Sequence, residues 1–103
     1  MGVRNIKGVD AIVAAFCADF ERRESEIEKG ELEYRVEMEY RYYNSKIYTA
    51  AVRVVGMADA MIYINEIGAR IGYARSAVSV SETTYKKRTR AVIDDIAASL
   101  HLI

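Results

Sequence analysis

Proline is absent from all 103 residues. Ordinary usage is about 5%, and folds of many strands and turns place prolines at their bends, so the absence points to long helices. Cysteine occurs once, as Cys17, which excludes an internal disulfide and fits a reducing cytosol. The single histidine, His101, stands near the end without a second imidazole and is read as a frayed terminal side chain. No apolar run approaches the roughly 20 residues of a membrane helix. The opening MGVRNIKGVD lacks the apolar segment of a secretory signal. The glycines are scattered, so no phosphate-cradling loop exists.

These absences narrow the chemistry. Cys17 falls on an apolar stripe between Phe16 and Phe20, where a thiol is an inert small hydrophobe. A metal site would have to be built from carboxylates. Glu21, Glu24 and Glu28 share one helical face, but arginines sit among them and no calcium-loop pattern is present. Asp94 and Asp95 read as a solvated helix turn. The expectation is a non-enzyme with no metal, no cofactor and no small-molecule substrate.

What the chain does have is a charge gradient. Its formal net charge is zero. Residues 10 to 39 lean acidic, while from Arg70 to Arg90 six basic residues (Arg70, Arg75, Lys86, Lys87, Arg88, Arg90) face Glu82 alone, a segment of +5. An anionic partner is thereby confined to one end.

Four periodic stretches lie between glycines. Val9, Ile12, Val13, Phe16, Cys17 and Phe20 recur at the spacing of one helical face. This predicts a helix over 9–29 that stops at Gly30, with Arg22–Glu26 as an i,i+4 pair. The next stretch is ambiguous. From Glu31 to Tyr42 charged and apolar residues alternate without a break, which is the period of a half-buried strand. Yet Glu, Leu, Met and Arg favour helix, and only Val36 is β-branched. At helical spacing Leu32, Val36, Tyr43, Ile47, Ala50, Ala51 and Val54 form one stripe, and it runs on past the end of the alternation. Glu31–Arg35 and Glu37–Arg41 also take the favourable i,i+4 orientation. Residues 31–55 are therefore one helix, about 37 Å long at 1.5 Å per residue.

That helix is apolar on a second side as well, at Tyr34, Met38, Tyr42 and Tyr48. Either other helices of the chain cover this side, or it is a protein interface, where tyrosine and methionine are enriched. Pairing of two subunits or a contact with RNA polymerase would use it.

Met57, Ala60, Met61, Ile64, Ile67 and Ile71 mark a third helix over 58–72, with Gly72 as its C-terminal cap. A linker follows, then a helix over 81–100 with Tyr85, Val92, Ile93, Ile96 and Leu100 as its buried stripe. Ser79 has capping-box spacing to Glu82, and Ser81 could equally be the cap. A short helix, a linker and a Ser-capped helix with a basic outer face outline a helix-turn-helix. Thr83, Lys86, Lys87 and Arg90 lie together on that outer face. Lysines attract the phosphate backbone, an arginine fork can pair with guanine, and Thr83 with nearby backbone N–H groups can donate to a phosphate.

GARIGY followed by SETTYKKRTRAVIDDIAASL resembles the C-terminal DNA-reading domain of sigma factors and of phage regulators built on it. Ile67, Ile71, Gly72 and Tyr73 match its first helix, and Ser81, Thr84, Tyr85, Arg88 and Ala91 its second. Upstream, FCADFERRESEI and EYRYYNSKIYTAA resemble the helical leader of sigma-like late-transcription regulators in phages of Gram-positive bacteria. The chain departs from the pattern at Ala74 to Val80, inserted where the family has almost nothing. The resemblance implies a cytoplasmic phage transcription regulator that binds duplex DNA through Lys86, Lys87 and Arg90, aided by Thr83, with Arg70 and Arg75 on flanking phosphates. A competing reading is a phage-encoded inhibitor of a host nucleic-acid enzyme, anti-CRISPR-like or polymerase-binding, that touches no DNA. The fold expected on either reading is all-α: one domain over 1–103, about four helices, with the helix-turn-helix-like pair at the C-terminus.

Overall fold

The computed structural model describes residues 8–103, and all regular structure among them is helical. Helix α1 spans Val9–Ala18, α2 Phe20–Lys29, α3 Tyr34–Val55, α4 Met57–Ala69 and α5 Glu82–Ser99, with a short 3-10 turn at Tyr73–Arg75. The all-α architecture matches the expectation.

The predicted first helix is broken at Asp19, whose backbone (φ −95°, ψ 4°) leaves the α region. The break lets one periodic sequence serve two partners, since α1 packs on α4 and α5 while α2 turns to pack on α3. Two buried polar side chains brace it. Arg23 donates from Nη2 to the Phe16 carbonyl at 2.6 Å and from Nε to Asn44 Oδ1 at 2.7 Å. Asn44 in turn donates from Nδ2 to the Phe20 carbonyl at 3.0 Å and to Glu24 Oε2 at 2.8 Å. The Arg23 guanidinium also lies over the Phe16 and Tyr43 rings, a second compensation for removing its charge from water. Arg22 does not form the expected pair with Glu26. It reaches Asp19 at 3.4 Å and the Tyr40 hydroxyl at 3.3 Å.

The alternating stretch is helical from Tyr34 onward, with residues 30–33 forming the connection from α2. Glu37–Arg41 closes at 2.7 Å, whereas Glu31, ahead of the helix, makes no ion pair with Arg35. Ile47, Ala50 and Ala51 of α3 are fully buried, and the two alanines let α4 and α5 approach closely. The core is completed by Val13, Cys17 and Phe20 below, Tyr63, Ile64 and Ile67 of α4, and Tyr85, Val92 and Ile96 of α5. Burying each such large apolar side chain contributes about 1.5–3 kcal/mol.

Helix α4 ends earlier than Gly72 suggested. Arg70 takes the left-handed conformation (φ 58°) while Gly72 is extended (φ −87°). The Arg70 and Ile71 N–H groups donate back to the Ile67 and Glu66 carbonyls at 3.2 and 3.0 Å, a Schellman closure built on a non-glycine residue. Helix α5 ends the same way. His101 (φ 61°) and Leu102 donate to the Ala98 and Ala97 carbonyls at 3.1 and 2.8 Å. His101 thus closes the helix through its backbone while its side chain stays exposed.

Candidate nucleic-acid interface

The basic segment is assembled from the end of α4, the connector 70–81 and the first half of α5. Ser81, not Ser79, caps α5, since its Oγ accepts from the Thr84 N–H at 3.2 Å. The connector is longer than the three to four residues of a typical helix-turn-helix turn, and α5 packs chiefly on α3 and only lightly on α4.

That connector is folded around a buried carboxylate. Glu66 of α4 accepts from Ser76 Oγ at 2.7 Å, from the Ala77 N–H at 2.7 Å and from the Tyr85 hydroxyl at 3.0 Å. Burial pushes the Glu66 carboxyl up, but the three donors outweigh it and hold the group below its ordinary value. The Tyr73 hydroxyl donates to the Val80 carbonyl at 2.8 Å and closes the loop from the other side. The insertion Ala74–Val80 is thus a structured loop that ties the end of α4 to the start of α5.

The predicted basic residues separate into two groups. Arg70, Arg75 and Lys87 are exposed and make no ion pair among the described residues, and the same holds for Arg88 on the neighbouring side of α5. Thr83 is exposed in the first turn, and Lys86 reaches only its i,i+4 neighbour Glu82 at 2.8 Å with both side chains largely in solvent. A pair of that kind is worth little and exchanges readily. Arg90 belongs to the second group. Its guanidinium forms a two-pronged contact with Asp10 at 2.6 and 2.7 Å and also meets Asp94 at 3.2 Å. It faces α1 and its own helix, not the outer surface. Between these sides runs a shallow groove of about 270 Å³ whose lining includes Ile71, Tyr85, Thr89 and Ile93, with Lys86 and Arg90.

The aromatic residues of α3 also divide. Tyr34, Met38 and Tyr42 are 78%, 43% and 44% exposed. Tyr48 instead packs against the core and, with Phe20 and Met61, lines a cavity of about 420 Å³. Asp95, read from sequence as solvated, is held by both arms of Arg53 at 2.7 and 3.0 Å, which lowers its carboxyl below the ordinary value.

Arg23, Asn44 and Glu66 were not singled out from the sequence, though two left a trace there. Asn44 lies three residues before Ile47 and Arg23 three after Phe20, both polar residues at core spacing. Glu66 left none. Burial pushes the Cys17 thiol up to about 12, with Arg23 opposing weakly, so it carries no thiolate at neutral pH. Among the described residues no three His, Cys, Asp or Glu side chains come together as metal ligands, and no single helix is long and apolar enough to cross a membrane. The chain matches no family model, no curated protein and no solved structure.

Proposed function

We propose that this protein is a non-catalytic binder of duplex DNA that contacts mainly the phosphate backbone, acting as a regulator of transcription. The observation that carries the proposal is the set of exposed cations that make no ion pair among the described residues, Arg70, Arg75 and Lys87, joined by Lys86 and Thr83 on the first turns of α5. Eight of the chain's carboxylates fall between Glu21 and Glu39, away in sequence from the basic segment, so the charge gradient that favours a polyanion is confined to the C-terminal part of the sequence. Arg90 is omitted from the contact set because its fork is already engaged by Asp10 and Asp94. Without that fork the contact residues on the first turns of α5 are lysine point charges and Thr83, which position a duplex without reading it. The regulatory part of the proposal rests on the sigma-like pattern of Ile67, Gly72, Tyr73, Ser81, Thr84 and Arg88.

Anisotropy of a labelled duplex, titrated across ionic strength, tests this. Four or five phosphate contacts give a log–log slope of about −4, and Lys87→Ala reduces its magnitude by about one. No duplex affinity at low salt would overturn the proposal. It would favour the protein-binding alternative, which the exposed Tyr34–Met38–Tyr42 stripe supports.

A further inference from the structure

We propose that the outer face of α3 is the self-association surface of the protein, and that a second copy covers it with its own α3 in antiparallel orientation. This inference stands apart from the nucleic-acid reading and uses none of its residues.

Tyr34, Met38 and Tyr42 recur every four residues, so they form one stripe along the helix. The core residues Asn44, Ile47 and Ala51 occupy the opposite side, and among the described residues the stripe stays exposed. Water-exposed apolar residues in a contiguous row mark an interface more often than single ones do.

The charges around the stripe specify the occupant. Helical periodicity places Arg35 and Glu39 along one margin, and Glu37 and Arg41 along the other. Arg35 and Glu39 are exposed and make no ion pair among the described residues. Consider two copies of α3 antiparallel, with the two-fold axis at Glu37. Arg35 then stands level with Glu39 of the second copy, and Glu39 with its Arg35. Arg41 stands level with its Glu33. The outer pairs of the segment Glu33 to Arg41 are thus complementary to their own reversal, and the two Glu37 side chains that meet at the axis are each paired with their own Arg41. A parallel pair would instead set Tyr34 level with Tyr34 and Met38 level with Met38, side chain against side chain.

The apolar residues fit the same register. Tyr34 and Met38 of one copy alternate with Tyr42, Met38 and Tyr34 of the other at levels about 3 Å apart, two residues of helical rise. Side chains therefore interleave. Centring the axis on Met38 would put Tyr34 level with Tyr42 and Met38 level with Met38, side chain against side chain. Shape favours the register centred on Glu37 over the one centred on Met38.

Sedimentation equilibrium of the full chain from about 1 µM to about 500 µM tests the proposal, a range suited to an interface confined to one helix pair. The mass should rise from one chain to two. Arg35→Glu should raise the dissociation constant at least tenfold, because it sets carboxylates level at both symmetry-related positions. Adding Glu39→Arg to that variant should restore association to within about threefold of the parent. Met38→Glu should give a single-chain mass throughout. Circular dichroism should be unchanged in all variants, since these side chains lie outside the core. A single-chain mass for the parent at every concentration, or a double variant no better than Arg35→Glu alone, would overturn the proposal.

Discussion

Arg90 and Asp10 lie 80 positions apart in the chain and meet in a two-pronged ion pair at 2.6 and 2.7 Å. The pair fastens the start of α1 to the middle of α5. Asp94 supports the same guanidinium from one turn further along. A basic residue on the outer face of a sequence diagram has become a structural clasp.

A double-mutant cycle of Arg90→Ala with Asp10→Ala should return a coupling of about 0.5–1 kcal/mol, the range for a partly solvated pair of good geometry. In the anisotropy titration Arg90→Ala should leave the salt slope unchanged. A slope smaller by about one unit would return Arg90 to the contact set.

Glu66 should make the fold acid-sensitive. Its carboxyl is held below the ordinary value of 4.5, so its contribution is complete above that value and is lost as pH falls through the lower folded-state value. Asp95 acts in the same direction, so the informative comparison is between the parent and Glu66→Gln. Urea denaturation should show the variant less stable by about 1–3 kcal/mol at pH 7, with the gap narrowing as pH falls below 4.5.

Gly68 is a contact requirement. A Cβ there would lie 2.6 Å from the Ala18 backbone nitrogen and 2.8 Å from its Cα. Alanine is the better helix former by about 1 kcal/mol, yet α1 would have to move off α4. Gly68→Ala should therefore destabilise by about 1–3 kcal/mol, read as a fall in the midpoint of thermal unfolding of several degrees.

Two stacked tyrosines should respond oppositely. The Tyr63 and Tyr85 rings lie 5.7 Å apart. The Tyr63 hydroxyl is buried with no hydrogen-bond partner among the described residues, whereas that of Tyr85 donates to Glu66. Tyr63→Phe should be neutral or stabilising by up to about 1 kcal/mol, while Tyr85→Phe should cost about 1–2 kcal/mol. Chemical denaturation of the two variants side by side distinguishes them.

The helices were legible because each carries a long apolar stripe at one period. Val9 to Phe20, apart from Ile12, which is exposed, and Ile47 to Val54 and Tyr85 to Ile96 bury the side they advertise, and Ser81 caps the helix it precedes. The alternation of Glu31 to Tyr42 misled only as far as it was local. Its continuation through Ala50 and Ala51 settled the conformation. Boundaries were less legible. The break at Asp19 carries no glycine or proline and exists because α1 and α2 have different partners. The end of α4 at Arg70 is fixed by hydrogen bonds that any residue can donate, so Gly72 was a misleading marker.

The candidate site was legible as a set of residue types and not as an arrangement. Lys86 and Lys87 are exposed, whereas the guanidinium of Arg90 is held by Asp10 and Asp94, although all three belong to one basic run. Whether a guanidinium is available depends on Asp10, which the sequence places at the far end of the chain. The same holds for Glu66, whose surroundings in sequence are ordinary and whose partners arrive from the connector and α5.

By itself the sequence determined an all-α chain and the direction of its charge gradient, because periodicity and composition act over neighbouring residues. Tertiary structure decided which charges are spoken for, which tyrosines are covered, and that the connector is a clamped loop. Those outcomes are set by groups distant in the chain meeting at hydrogen-bonding range, and no local pattern encodes such a meeting.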